Sequence, residues 1–267
     1  MLTFFALFTI VACYVAAALL IGKRLTHREA SSKYPALAIG FVGILLHAFL
    51  LQQAMFTPGG LNFGLTNVGS LATWFVAGLL LIASLRRPIE NLGIIILPLA
   101  AFSILAQVLL PTEHILTTDE THSGIGIHIL FSILAYSLLG LAAVQAMLLS
   151  IQERNLHRRN PGGFIRALPP MESMETLLFQ MIIIGFVLQS MSLASGIVYL
   201  DNMFAQHLAH KTILSIIAWL VFAILLWGHW KHGWRGRVAV RWTISGFITL
   251  LLAYFGSKYV LEILLGR

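Results

Sequence analysis

Ten histidines are the side chains best suited to chemistry here, and six of them lie within long apolar runs or in the connecting loops poor in Lys and Arg. His47 interrupts the run Gly43-Ile-Leu-Leu-His-Ala-Phe. An imidazole surrounded by hydrocarbon is costly, so it faces a bundle interior or a cavity, where it ligates a group or hydrogen bonds to a neighbouring helix. His128 opens the stretch Ile127-His-Ile-Leu-Phe-Ser132-Ile-Leu-Ala-Tyr136. On a helix, Ser132 at i+4 and Tyr136 at i+8 share its face, and a face carrying imidazole, hydroxyl and phenol is unsuited to lipid. His207 and His210, three residues apart, share a face if the following helix starts early, and such a pair could ligate a metal. His114 and His122 flank an acidic loop with Glu113, Asp119 and Glu120 and read as solvated. His27, His157, His229 and His232 sit among basic residues and read as solvated or headgroup-facing.

Neutral imidazoles in such places ligate metals, shuttle protons or hold haem iron. Catalytic zinc needs three clustered ligands with carboxylate support, and no HExxH occurs. A proton-coupled carrier wants acids within its spans, whereas Glu175 and Glu262 lie near span ends and no span centre carries one. Haem needs one or two axial histidines and a large apolar, aromatic cavity, which 17 Phe, 6 Tyr and 6 Trp can line. Signatures of nucleophilic catalysis and of phosphate loops are absent, so the residues point to a binder rather than an enzyme. The one cysteine, Cys13, rules out an intramolecular disulfide. Without CxxC or CxxCH the chain is neither a thiol oxidoreductase nor a c-type cytochrome, and Cys13 reads as a packing residue.

The elements that position these residues follow from composition. Of 267 residues 58% are hydrophobic and 10% charged, with mean hydropathy +0.88. Soluble domains carry about 25% charged residues, so this is a polytopic membrane protein whose first partner is the lipid bilayer. Crossing the hydrocarbon core takes about 20 apolar residues as a helix. Eight segments qualify: roughly 2–21, 36–56, 68–85, 92–110, 125–150, 176–199, 211–229 and 242–265. The expectation is an all-α membrane bundle of about eight helices, one integral membrane domain over 1–267. The first segment lacks a preceding positive charge and is too long for a signal-peptide core, so it reads as a retained span.

Charge then sets orientation. Fourteen of the 17 Lys and Arg fall after spans one, three, five and seven; Lys211, Lys258 and Arg267 are the others. The positive-inside rule puts the basic loops in the cytoplasm and both termini outside. Basic residues placed this way answer insertion and anionic headgroups, so the net charge of +7 does not indicate nucleic acid. Trp227, Trp230, Trp234 and Trp242 read as an interfacial belt. The longest connection, about 151–175, is a basic, Pro/Gly-punctuated loop, and Glu172 and Glu175 are expected in the first turn of span six, where acids suit the helix dipole.

Several stretches together resemble the cytochrome c assembly protein family, in its eight-span, HemX-like branch. They are Gly126-Ile-His128 through Tyr136-Ser-Leu-Leu; Leu168-Pro-Pro-Met-Glu-Ser-Met-Glu175-Thr-Leu-Leu-Phe; Gly185-Phe; Ser195-Gly196; His210-Lys211-Thr; Ala218-Trp219; Gly233-Trp-Arg-Gly236-Arg; Gly246-Phe; and Ala253-Tyr-Phe-Gly256-Ser. The resemblance implies haem handling in a bacterial inner membrane, alongside other membrane assembly proteins. It makes His128 the outer axial histidine, likens His47 to the family's histidine in an early span, and puts His210 where the tryptophan-rich loop ends. This chain departs from the pattern at that loop: Tyr199-Leu-Asp-Asn-Met-Phe-Ala-Gln-His207-Leu-Ala-His210 holds no Trp-x-x-Trp-x-Trp-Asp, and no histidine follows the last span. An accessory, haem-holding role fits these departures. The competing reading is a transporter, or a transporter-associated subunit, for a divalent ion or small solute, suggested by His207, His210 and the acidic loop. The orientation is open to direct test: alkaline phosphatase fused after Arg267 should be active in a bacterial host, and green fluorescent protein fused there should stay dark.

Overall fold

In hydrocarbon no water is available to backbone N–H and C=O groups, so a spanning segment satisfies them internally as a helix. The computed structural model describes residues 2–27, 32–113, 115–116, 123–157, 168–199 and 206–256. Among them, eight helices are long and apolar enough to cross a membrane. We label them α1 Leu2–His27, α2 Tyr34–Met55, α3 Leu65–Arg86, α4 Gly93–Leu109, α5 Ser123–His157, α6 Met171–Tyr199, α7 Gln206–His232 and α8 Gly236–Leu251. A 3-10 turn, Glu90–Leu92, leads into α4, and a wider helical turn, Leu252–Gly256, closes α8.

Each expected span falls on one of these helices, and most helices run further. At about 1.5 Å per residue, the 35 residues of α5 reach about 52 Å, against a hydrocarbon core of about 30 Å. Hydropathy sees only the apolar stretch, whereas the hydrogen-bond ladder continues into the headgroup region. The last span shifts most. It starts at Gly236 rather than 242 and takes in Arg237 and Arg241. Residues 257–265 of that expected span lie outside the described residues.

The chain divides into two compact units, Met1–Thr118 with Arg154–Pro169, and Asp119–Glu153 with Pro170–Arg267. In the first, α1 packs on α2 and α4, and α3 packs on the same two helices. Small residues allow the approach: a Cβ on Gly43 would lie 3.0 Å from the Tyr14 ring, and one on Gly40 3.1 Å from Leu81. Three short strands, Phe56–Thr57, Gly60–Asn62 and Ile115–Leu116, form an antiparallel sheet. Phe56 pairs with Leu61, and Leu61 with Leu116. Gly60 turns the hairpin at φ 135°, which favours glycine. Strands of two or three residues carry no period to read and so are not visible in the sequence.

In the second unit α7 packs on α6 and α8. Leu139 of α5 fills the space over Gly185 of α6, Phe247 covers Gly140, and Phe222 covers Gly246. α7 ends in an αL turn: Gly233, at φ 65°, donates its N–H to the His229 carbonyl, and Trp234 N–H donates to that of Gly228. The Trp234 ring lies over Gly228 and tilts against Trp242, while Trp230 stays exposed as a belt residue should.

Two expectations change at this corner. Glu172 does sit in the first turn of α6, but Glu175 lies past it and accepts the Gly236 amide proton at 2.5 Å, serving the open end of α8 instead. His229 is not merely solvated. Its Nδ1 donates to the Trp234 carbonyl at 2.8 Å and its ring stacks on Phe179 at 3.5 Å, because the turn folds back over it. Overpacking at the α5–α6 crossing gives a stability test. A Cβ on Gly185 would lie 2.7 Å from Leu139, so Gly185→Leu should cost about 1–3 kcal/mol and lower the Tm in detergent. Gly126→Ala, where nothing lies within 4 Å, should leave the Tm close to wild type.

Candidate functional site

His128 sits half-buried near the start of α5, and its Nδ1 lies 2.8 Å from the backbone carbonyl of Ser192 on α6. A carbonyl oxygen only accepts, so Nδ1 carries the proton. In the neutral ring, Nε2 then holds the lone pair. This is how ligating histidines are usually held: one nitrogen donates to a fixed acceptor, and the other is aimed outward as a base.

Three serines fix the acceptor. Ser132, one turn along α5, donates to the His128 carbonyl at 2.8 Å and lies 2.6 Å from the Ser192 hydroxyl. With its own proton used, Ser132 accepts there and Ser192 donates. Ser195 donates to the same Ser192 carbonyl at 2.9 Å and stands 3.4 Å from Nδ1. Two turns below His128, the Tyr136 hydroxyl donates to the Leu250 carbonyl on α8 at 2.5 Å, and its ring meets Tyr254 edge-on. The predicted His/Ser/Tyr face of α5 is therefore a packed face, joined to α6 by the imidazole and serines and to α8 by the phenol.

Further along α6 the polar side continues. Gln189 is buried and donates to the Ser215 carbonyl on α7, and Trp219 of α7 donates to Ser190 at 2.8 Å while stacking on Phe186. Lys211, near the start of α7, places its ammonium 5.8 Å from the Tyr254 ring centroid.

His47 belongs to the first unit and is fully buried. Its Nδ1 is 3.0 Å from the Tyr14 hydroxyl on α1 and its Nε2 is 2.8 Å from the Ser70 hydroxyl on α3. One nitrogen donates and the other accepts, so both are engaged and one side chain ties three helices. The chain of polar groups extends through α3. Thr73 donates to the Ser70 carbonyl and is also hydrogen bonded to Ser103 of α4.

His207 and His210 stand at the start of α7, which begins early enough for them to share a face; their side chains lie outside the described residues. His114 and His122 also lie outside them. Among the described residues no group of three or more His, Cys, Asp or Glu could hold a metal ion. His47 and His128 stand out in the sequence, but their partners do not: Tyr14, Ser70 and Ser192 lie on other helices, where nothing in the sequence links them to either histidine. The readable signal for Ser192 is the i, i+3, i+6 series Gln189, Ser192, Ser195, one polar stripe on a helix that otherwise faces lipid or core.

Fold and site define a multi-pass membrane helix bundle in which one imidazole ties helices together and another has one ring nitrogen without a hydrogen bond among the described residues. The family model described as cytochrome C assembly protein matches residues 36–265, and the chain belongs to that family. It is 34% identical to the inner membrane protein YpjD of Escherichia coli K12, over 97% of this chain and 98% of that protein. An uncharacterized 28.8 kDa protein in the nifR3-like 5′ region of Azospirillum brasilense is 31% identical over 86% of this chain and 85% of its own length. The cytochrome c biogenesis protein CcsA of Prochlorococcus marinus MIT 9301 is 31% identical over a shorter stretch, 33% of this chain and 29% of that protein. No solved structure matches the chain.

The buried triad predicts a graded loss of stability. His47→Phe keeps a ring but strands the Tyr14 and Ser70 hydroxyls, and should cost about 2–4 kcal/mol. Tyr14→Phe removes one bond and should cost about 1 kcal/mol. Thermal unfolding of the double variant should show less than the sum, because the two changes delete the same bond.

Proposed function

We propose that this protein holds haem in a bacterial inner membrane, in an accessory role in cytochrome c biogenesis. One observation carries the reading: the His128 Nδ1 proton is committed to the Ser192 carbonyl, which leaves Nε2 as a fixed lone-pair donor. Membership of the cytochrome c assembly family, and likeness to proteins named for the inner membrane and for cytochrome c biogenesis, supply the context.

Haem, when bound, would supply an iron with affinity for an imidazole nitrogen and a flat apolar ring system that is stable among aromatic side chains. His128 would supply that nitrogen. Ser192 sets the tautomer and the ring direction, and Ser132 and Ser195 hold Ser192. Tyr136 spends its hydroxyl on Leu250 and so presents its ring rather than a competing oxygen ligand. His210, in the same unit, is the candidate second ligand, with His207 one turn away. His47 joins such a site only by giving up Tyr14 or Ser70, which puts it behind His128 as a ligand.

The role is binding and positioning, with no turnover of a substrate. Fourteen basic residues at one set of span ends and the loops that join them support a His128 end outside the cytoplasm, with both chain termini there too. The loop after α6 lacks the tryptophan-rich motif, so the protein holds haem more readily than it hands haem on.

The visible spectrum of the purified full-length chain tests this. With added haem, wild type should give a Soret band shifted from that of free haem in detergent. His128→Ala should lose it, while Ser190→Ala, which removes the hydrogen bonds to Trp219 and Phe186 and none to His128, should keep it. No shifted band in wild type, or an unchanged band in His128→Ala, overturns the proposal.

A further inference from the structure

A groove of about 420 Å³ runs between α1 and α4 in the first unit, and neither His47 nor His128 lines it. Val15, Leu19, Gly22 and Thr26 line it from α1 at i, i+4, i+7 and i+11, one continuous stripe. Ile94 and Pro98 line it from α4. Two sequence features open it. Gly22 has nothing within 4 Å of where a Cβ would stand. Pro98 lies inside α4, where it lacks the N–H that would bond the Ile94 carbonyl and its ring pushes that carbonyl aside.

The groove is apolar along its length and cationic at one end. Lys23 lines that end and is exposed, while its neighbour Arg24 is neutralised by Glu90 at 2.8 Å. From Val15 to Gly22 the apolar stripe covers about 10 Å of helix, and Lys23 and Thr26 follow at its end. One leaflet of a hydrocarbon core about 30 Å thick is about 15 Å deep, so the stripe takes the headgroup-proximal part of one acyl chain. An apolar groove on a membrane-spanning face, with an ammonium at its polar end, has the shape and charge for a phospholipid: acyl chain along the groove, phosphate at the lysine.

We infer that this groove binds one anionic phospholipid, its acyl chain along the Val15–Gly22 stripe and its phosphate paired with Lys23. The inference does not depend on the haem reading, because it rests on other residues in another unit. Native mass spectrometry of the full-length chain, released from detergent with phosphatidylglycerol or phosphatidylcholine of matched chain length, is the test. Wild type should retain one phosphatidylglycerol about fivefold more than phosphatidylcholine, the scale of one basic side chain at an anionic headgroup. Lys23→Gln should remove that preference, and Gly22→Trp, which fills the open space, should abolish retention of either lipid. Equal retention of the two lipids by wild type, or an unchanged preference in Lys23→Gln, overturns the inference even if Gly22→Trp fails to accumulate. A lipid-free dimer would assign the groove to a second copy of the chain and would overturn it as well.

Discussion

Every polar group placed in hydrocarbon must find its partner within the protein, and this constraint orders both units. Apolar side chains do not drive the helices together, because lipid solvates them equally well. Phe5, Phe8 and Leu45 accordingly lie open to the surroundings, while His47, Ser70, Gln145 and Gln189 are buried. What fixes one helix against another is close packing at small residues and the need of each polar group to be matched.

The two histidines show two outcomes of that need. At His47 both nitrogens are spent, on α1 and on α3, and the imidazole acts as a fastener whose loss would strand two hydroxyls. At His128 one nitrogen is spent and the other is not. The difference lies in the partners. A hydroxyl can take either role and so closes the ring of bonds around His47. A backbone carbonyl can only accept, so it assigns the His128 proton to Nδ1 and puts the lone pair on Nε2, which has no hydrogen bond among the described residues.

The basic corner follows the same logic with water near at hand. The αL turn at Gly233 satisfies the carbonyls of Gly228 and His229 at the end of α7, Glu175 takes an open amide of α8, and Arg237 pairs with Glu153 at 2.9 Å. Charge repels the hydrocarbon and sets where the helices stop being membrane. The bonds made at that boundary let α6, α7 and α8 meet at a fixed corner. Glycine supplies the turn because only a residue without Cβ takes φ 65° and 54° without strain.

Hydropathy by itself determined the eight helices, because about 20 apolar residues have one way to cross a bilayer. It also marked His47 and His128, since an imidazole within an apolar run stands out against its neighbours, and the i, i+4, i+8 spacing put Ser132 and Tyr136 beside His128. It did not show the true helix ends, since backbone bonding continues past the apolar stretch. Nor did it show Tyr14 and Ser70 closing on His47, or the Ser192 carbonyl that sets the tautomer of His128. Those partners come from helices 23 to 64 residues away in the chain. Periodicity describes one helix at a time; only packing decides which faces meet, and a main-chain carbonyl is present at every residue and carries no mark in the sequence.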